Sequence, residues 1–376
     1  MIAKNIIKIS LYILVFSFFG FHNSQAQLSL SVSTDQEYNS NPFSSPTPSE
    51  SVISSYNLGL EYEPNNWGFG YYNNYSQFLS IPERNYYWHQ LGTWFASDNS
   101  MLGIYYEQRI NKEDYSYYDY SSFDFYFKQK FSLSGFHFLF NSSLAYTSYR
   151  ELTDLNNFLF TTSIRSAKSF ETKTTLIGGV VFNYKTYSNA GSILSGTFGR
   201  GRNSSLTQTV DRSTSHFNIY GRIAQSLTST TGLAVQYTNR NILSGLAKDA
   251  SSLGVTYGDE SQFFDDPISY EGYTYQIQLT QILPFEATLR GSYFYNSKNY
   301  PSQGIYLNAD DYDDVTKRED SQQIFYLSLS KMIKLSKNAN TSLSISLDYQ
   351  IINNESNSFW YKYDTNKTSV NIKFQF

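Results

Sequence analysis

The segment Leu343-Ser344-Ile345-Ser346-Leu347-Asp348-Tyr349 alternates an apolar residue with a polar one at every step. Successive side chains of a strand point to opposite faces, so this run shows one apolar face and one polar face. The same alternation recurs in Leu28-Leu30-Val32, Tyr56-Leu58-Leu60-Tyr62, Phe123-Phe125-Phe127, Phe136-Phe138-Phe140, Leu233-Val235-Tyr237, Tyr273-Tyr275-Ile277-Leu279 and Leu289-Gly291-Tyr293-Tyr295. Helical periodicity is nearly absent. Segments of about ten residues are what a tilted strand needs to cross a bilayer.

Composition narrows the class. The 376 residues include 35 Tyr, 29 Phe and 4 Trp, yet the mean hydropathy is that of a soluble protein. A transmembrane β-barrel reconciles the two, with apolar residues toward lipid and polar ones toward the lumen. Cysteine is absent, which excludes disulfides, thiolate metal sites, cysteine nucleophiles and a lipoprotein anchor. A net charge of −4 gives no basic footprint for nucleic acid. No cofactor is expected.

The first 26 residues read as a signal peptide. Lys4 and Lys8 precede a 13-residue apolar run, Ile9 to Phe21, and Ser24-Gln25-Ala26 supplies the small-x-small cleavage pattern. Residues 27–376 then form a single barrel domain with net charge −6, and any membrane crossing must be made by strands.

Connections alternate in length. Short turns fall at 63–66, 97–100, 132–135, 169–172, 227–232, 284–286 and 335–338. Longer polar connections fall at 35–51, 80–84, 111–119, 150–156, 187–212, 243–269, 298–320 and 352–365. Seven short and eight long connections imply sixteen antiparallel strands in an up-and-down barrel, with periplasmic turns and extracellular loops. The count is fourteen if the short strand at 28–34, or one irregular segment, lies outside the barrel.

Val370, Ile372, Phe374 and Phe376 alternate up to a terminal aromatic. In this the chain resembles Gram-negative outer-membrane barrels, whose last strand ends in an aromatic read by the barrel-assembly machinery. Phe374 and Phe376 carry that signal by resemblance, and an outer-membrane location among lipid and lipopolysaccharide follows. The Asn, Tyr and Ser richness and the Gln after the cleavage site resemble proteins of Bacteroidota. Asp35 to Pro46 resembles the opening of porin-like barrels associated with polysaccharide export.

If the apolar register faces lipid, the lumen receives Arg109, Lys128, Lys130, Arg165, Lys185, Arg222, Arg240, Arg290 and Lys373 against Glu61, Glu107, Asp124 and Asp348. That is a basic bore beneath acidic loops. Arginine rings line pores for anions and phosphates; the alternative role is to pair with lumen carboxylates or to stack on tyrosines. Tyr72, Tyr105, Tyr126 and Tyr220 also share the inward register and offer faces for sugar rings. Arg200 and Arg202, in Gly199-Arg200-Gly201-Arg202, are candidates for an inward-folding constriction, with a plain extracellular loop as the alternative.

Other patterns carry less chemistry. Asp310, Asp311, Asp313 and Asp314 lack the spacing and glycine of a calcium loop, and Asp259, Glu260, Asp265 and Asp266 read the same way. The mature histidines are His89, His137 and His216. Ser215 and His216 with Asp211 suggest a rim hydrolase, but strand neighbours point to opposite faces. Gly199-x-Gly201 lacks a nucleotide fingerprint, and 350 residues leave no room for a plug. The expectation is a non-enzymatic channel for small anionic or sugar-like solutes, or an exported polysaccharide. The first alternative is a non-conducting subunit of an envelope assembly, with Tyr115, Tyr117, Tyr118 and Tyr120 as contact residues. The second is the rim hydrolase.

Overall fold

The computed structural model describes residues 28–188, 213–246, 268–336 and 341–376; the leader and the Arg200–Arg202 segment lie outside them. Sixteen of the strands close into one antiparallel barrel. In chain order they are β1 (Leu28–Asn39), β2 (Ser51–Tyr62), β3 (Trp67–Phe78), β4 (Tyr86–Ala96), β5 (Ser100–Asn111), β6 (Tyr120–Leu133), β7 (Phe136–Tyr149), β8 (Asn157–Ser169), β9 (Thr174–Tyr187), β10 (Ser213–Ser226), β11 (Thr231–Ser244), β12 (Glu271–Ile282), β13 (Thr288–Tyr300), β16 (Arg318–Lys334), β17 (Ser342–Ser356) and β18 (Tyr363–Gln375). The two short strands β14 (Ile305–Tyr306) and β15 (Tyr312–Asp313) form a separate hairpin in the loop between β13 and β16.

Each strand pairs with its sequence neighbour, and β1 pairs with β18 to seal the wall. The barrel itself has no free strand edge, so its backbone groups at membrane depth pair within the wall. The segment at 28–34 is therefore part of the wall, and sixteen is the count.

The expected loops at 35–51 and 352–365 are shorter than the sequence suggested. β1 continues to Asn39 and β17 to Ser356. The barrel strands are 11 to 17 residues long, more than the ~9–11 that a bilayer requires. Their excess rises above the lipid, where both faces meet water and the apolar alternation has no reason to persist.

Local chemistry sets the turns. Ser134 and Gly135, with φ of 51° and 78°, join β6 to β7 in the two-residue turn whose twist matches the strands it connects. The apolar register faces outward throughout. Ile104 stands opposite Phe125, Leu102 opposite Phe127 and Val32 opposite Leu58 and Phe374. Phe123 and Phe125 are 52% and 50% exposed, which suits lipid and would be costly in water.

Candidate functional site

Cross-strand partners share a face, so the pairing carries one parity around the whole wall. By that parity Arg109 on β5, Lys128 and Lys130 on β6, Arg165 on β8, Arg222 on β10, Arg240 on β11 and Arg290 on β13 all point into the bore. Lys185 and Lys373 join them, as do Glu61, Glu107, Asp124 and Asp348.

The inward acids are confined to one part of the circumference, which they share with Arg109, Lys128, Lys130 and Lys373. From β7 to β13 the strands contain one acid, Glu271, and its register faces outward. Arg165, Lys185, Arg222, Arg240, Arg290 and Lys298 face inward on this arc. The inward acids stand on β16, β17, β1, β2, β5 and β6: Asp320, Asp348, Asp35, Glu37, Glu61, Glu107 and Asp124. Sequence reading placed Asp35, Glu37, Lys298 and Asp320 in loops, because alternation fades where the strands leave the lipid.

The inward cations differ in how they are held. The Arg109 guanidinium lies 3.8 Å over the Tyr86 ring, and its Nε donates to Asn111 at 3.2 Å. Arg240 donates to Thr274 at 2.8 Å and lies 5.5 Å from the Tyr270 ring. Lys128 and Lys185 lie over Tyr126 and Tyr187 at 5.1 and 5.5 Å. Arg165, Arg222 and Arg290 make no ion pair among the described residues, and Arg222 has one long hydrogen bond, 3.4 Å to Gln278. On the facing arc, tyrosine hydroxyls hold the carboxylates. Tyr72 donates to Glu61, Tyr120 to Glu107 and Tyr326 to Asp348, each at 2.5 Å.

The inward aromatics lie against the wall. A Cβ on Gly68 would collide with Trp94, one on Gly103 with Tyr126, and one on Gly179 with Tyr220. Each glycine opens the slot its neighbour's ring occupies. Tyr105 stacks on Tyr126 at 5.0 Å and 10°, and Trp94 reaches Glu63 at 3.2 Å. Trp94 and Tyr126 are thereby buried, while Tyr72, Tyr105 and Tyr220 stay partly exposed.

The outer mouth is crossed by a second structure. Tyr149 ends β7, while Trp360 and Tyr361 follow β17, and these two strands are eight positions apart whichever way the ring is counted. Loops from these opposite walls nevertheless meet. Tyr118, Tyr149, Leu155, Trp360 and Tyr361 form one buried apolar cluster, with Tyr115, Tyr117 and Tyr306 against it. Trp360 donates to the Ala309 carbonyl at 3.3 Å, and the Tyr306 amide to Ser358 at 3.0 Å. Ser116 bonds Glu151 at 2.6 Å, joining the loops after β5 and β7. The bore is spanned by an aromatic strut.

The remaining candidates fall apart. Ser215 bonds Ser244 at 2.7 Å while His216, on the opposite face, is buried among other groups; Asp211 lies outside the described residues, as do Asp259, Glu260, Asp265 and Asp266. His89 points outward between Tyr71 and Asn73, at 2.9 and 3.1 Å. His137 meets Ser132 at 2.9 Å. The Asp313 carboxylate accepts the Val315 amide at 2.8 Å, and the described residues contain no acidic or histidine grouping suited to a metal. Phe374 and Phe376 pack ring to ring at 4.3 Å.

No known protein family matches the chain, and no curated protein does. Solved structures do. OccAB3 of Acinetobacter baumannii superposes with a TM-score of 0.51 at 10% identity, covering 93% of this chain and 98% of its own. OccAB1 of the same organism gives 0.49 at 11% identity over 93% and 96%. A bacterial polysaccharide outer membrane secretin gives 0.49 at 9% over 94% and 100%. The first shares the overall barrel fold. The closed wall and the apolar exterior are those of a membrane-spanning β-barrel.

Proposed function

We propose that this barrel is an outer-membrane channel that favours small anionic solutes. The observation that carries the reading is the arc from β7 to β13, which holds six inward cations and no inward acid. Arg165, Arg222 and Arg290 there are not committed to ion pairs. Sixteen strands enclose a bore wider than side chains alone can fill, and an uncompensated basic wall raises the local concentration of anions. Lipopolysaccharide and the barrel-assembly machinery are the partners this reading implies.

Planar-bilayer recordings under a salt gradient test it. Reversal potentials should show anion preference, and Arg222→Ser, Arg240→Ser and Arg290→Ser together should shrink it. Silence at every salt and voltage rejects the channel.

The aromatic strut supports a second reading: a closed subunit whose loops bind an envelope partner. That protein would co-purify with a stoichiometric partner and pass no current.

A further inference from the structure

The periplasmic half of the basic arc contains a hollow. Ala224 on β10 stands opposite Ala234 on β11, and Ser226 stands opposite Gly232, all facing inward. Gln278 and Thr280 follow in the same two rows on β12. Small side chains at adjacent inward positions leave a groove of about 270 Å³ in the wall.

Cations border this groove. Arg222 lies two residues from Ala224 on the same face, tethered only through Gln278 at 3.4 Å. Lys173 lines the groove from the turn between β8 and β9. That turn is fixed to β10: the Ser226 amide donates to the Lys173 carbonyl at 3.1 Å, and Gln225 Nε2 to the Thr172 carbonyl at 2.9 Å. The Lys173 side chain has no partner of its own among the described residues. Arg290 stands opposite Thr280, at the groove's edge.

We propose that this groove is a binding site for a small organic anion carrying a carboxylate or phosphate group. This rests on the anion-channel reading and gives it a place where the solute pauses. The planar Arg222 fork matches either oxyanion bidentately, and Lys173 adds a point charge from the other side. Gln278 and Thr280 supply polar contacts for the rest of the solute.

Titration calorimetry on the folded full-length barrel in detergent tests the site, with succinate, inorganic phosphate and neutral erythritol as probes. Succinate or phosphate should bind saturably, and whichever binds tighter identifies the oxyanion. Lys173→Gln and Arg222→Gln should each weaken that binding at least tenfold, while Lys168→Gln, on the outer face, should not. Equal binding of erythritol, or unchanged affinity in both groove variants, overturns the proposal. Reversal potentials judge the channel separately. Saturable binding without current keeps the site and removes the channel; anion preference without saturable binding does the reverse.

Discussion

The guanidinium of Arg318 lies 3.3 Å over the ring of Tyr361, which belongs to the loop after the next strand. The same cation lies 3.9 Å from the Tyr300 ring, while Asp320 closes a buried ion pair with it and Gln303 accepts from it at 2.9 Å. Arg318 is 3% exposed. Tyr361 belongs to the strut, so this clamp fastens the strut to the wall.

Removing the cation leaves Asp320 charged and buried without its partner. Arg318→Ala should cost the mouth ~3–5 kcal/mol, the usual penalty for breaking a buried pair from one side. Arg318→Lys should recover little, because an ammonium cannot replace a planar guanidinium against two rings. Limited proteolysis between residues 301 and 317 reads the effect: faster cleavage is expected, with the barrel still heat-modifiable on gels. An unchanged cleavage rate would sink the clamp.

Trp360 and Tyr361 hold one end of the strut, and replacing both by alanine removes much of its apolar contact. Buried aromatic truncations cost ~3–5 kcal/mol each. The double variant should admit larger neutral polyethylene glycols in single-channel recordings, and Leu155→Ala should act in the same direction from the far wall. If both keep the wild-type size limit, the strut does not control passage.

Alkaline pH should loosen the same region. Burial raises the Tyr115 hydroxyl above its ordinary value near 10, although Arg84, 5.6 Å from the ring, pulls the other way. A group held protonated in the fold stabilises it fully below the unfolded value, and that stability is lost as pH rises through the higher folded value. Protease susceptibility of the loop at 112–119 should therefore climb above pH 10. Tyr115→Phe should flatten that rise.

Gly103→Val and Gly68→Val fill the slots of Tyr126 and Trp94. Each should lower the unfolding midpoint in denaturant by an amount equivalent to ~1–3 kcal/mol, the range for overpacking. Gly221→Ala, where an added Cβ meets nothing within 4 Å, should not.

The barrel was legible because lipid imposes a period of two on every span, and Leu343, Ile345, Leu347 and Tyr349 obey it. The inward placement of Arg222 and Arg290 follows from the same parity. Above the lipid that constraint ends, so Asp35, Glu37 and Asp320 read as loop residues while sitting on strands. The strut was not legible at all: Tyr118 and Trp360 are 242 positions apart, and only ring closure brings β7 and β17 face to face across the bore. The acid-poor arc was present in the chain, as a stretch from Phe136 to Tyr300 whose strands hold a single acid. It acquires meaning only once strand order around the wall is known.

The seam between β1 and β18 has a consequence for biogenesis. Leu30 and Phe376 exchange backbone hydrogen bonds at 2.9 and 3.3 Å, so the two staves that complete the cylinder come from opposite extremes of the described chain. A half-delivered polypeptide presents two raw margins of unpaired amides, and each is an invitation to aggregate. Pairing of Leu30 with Phe376 removes both margins at once.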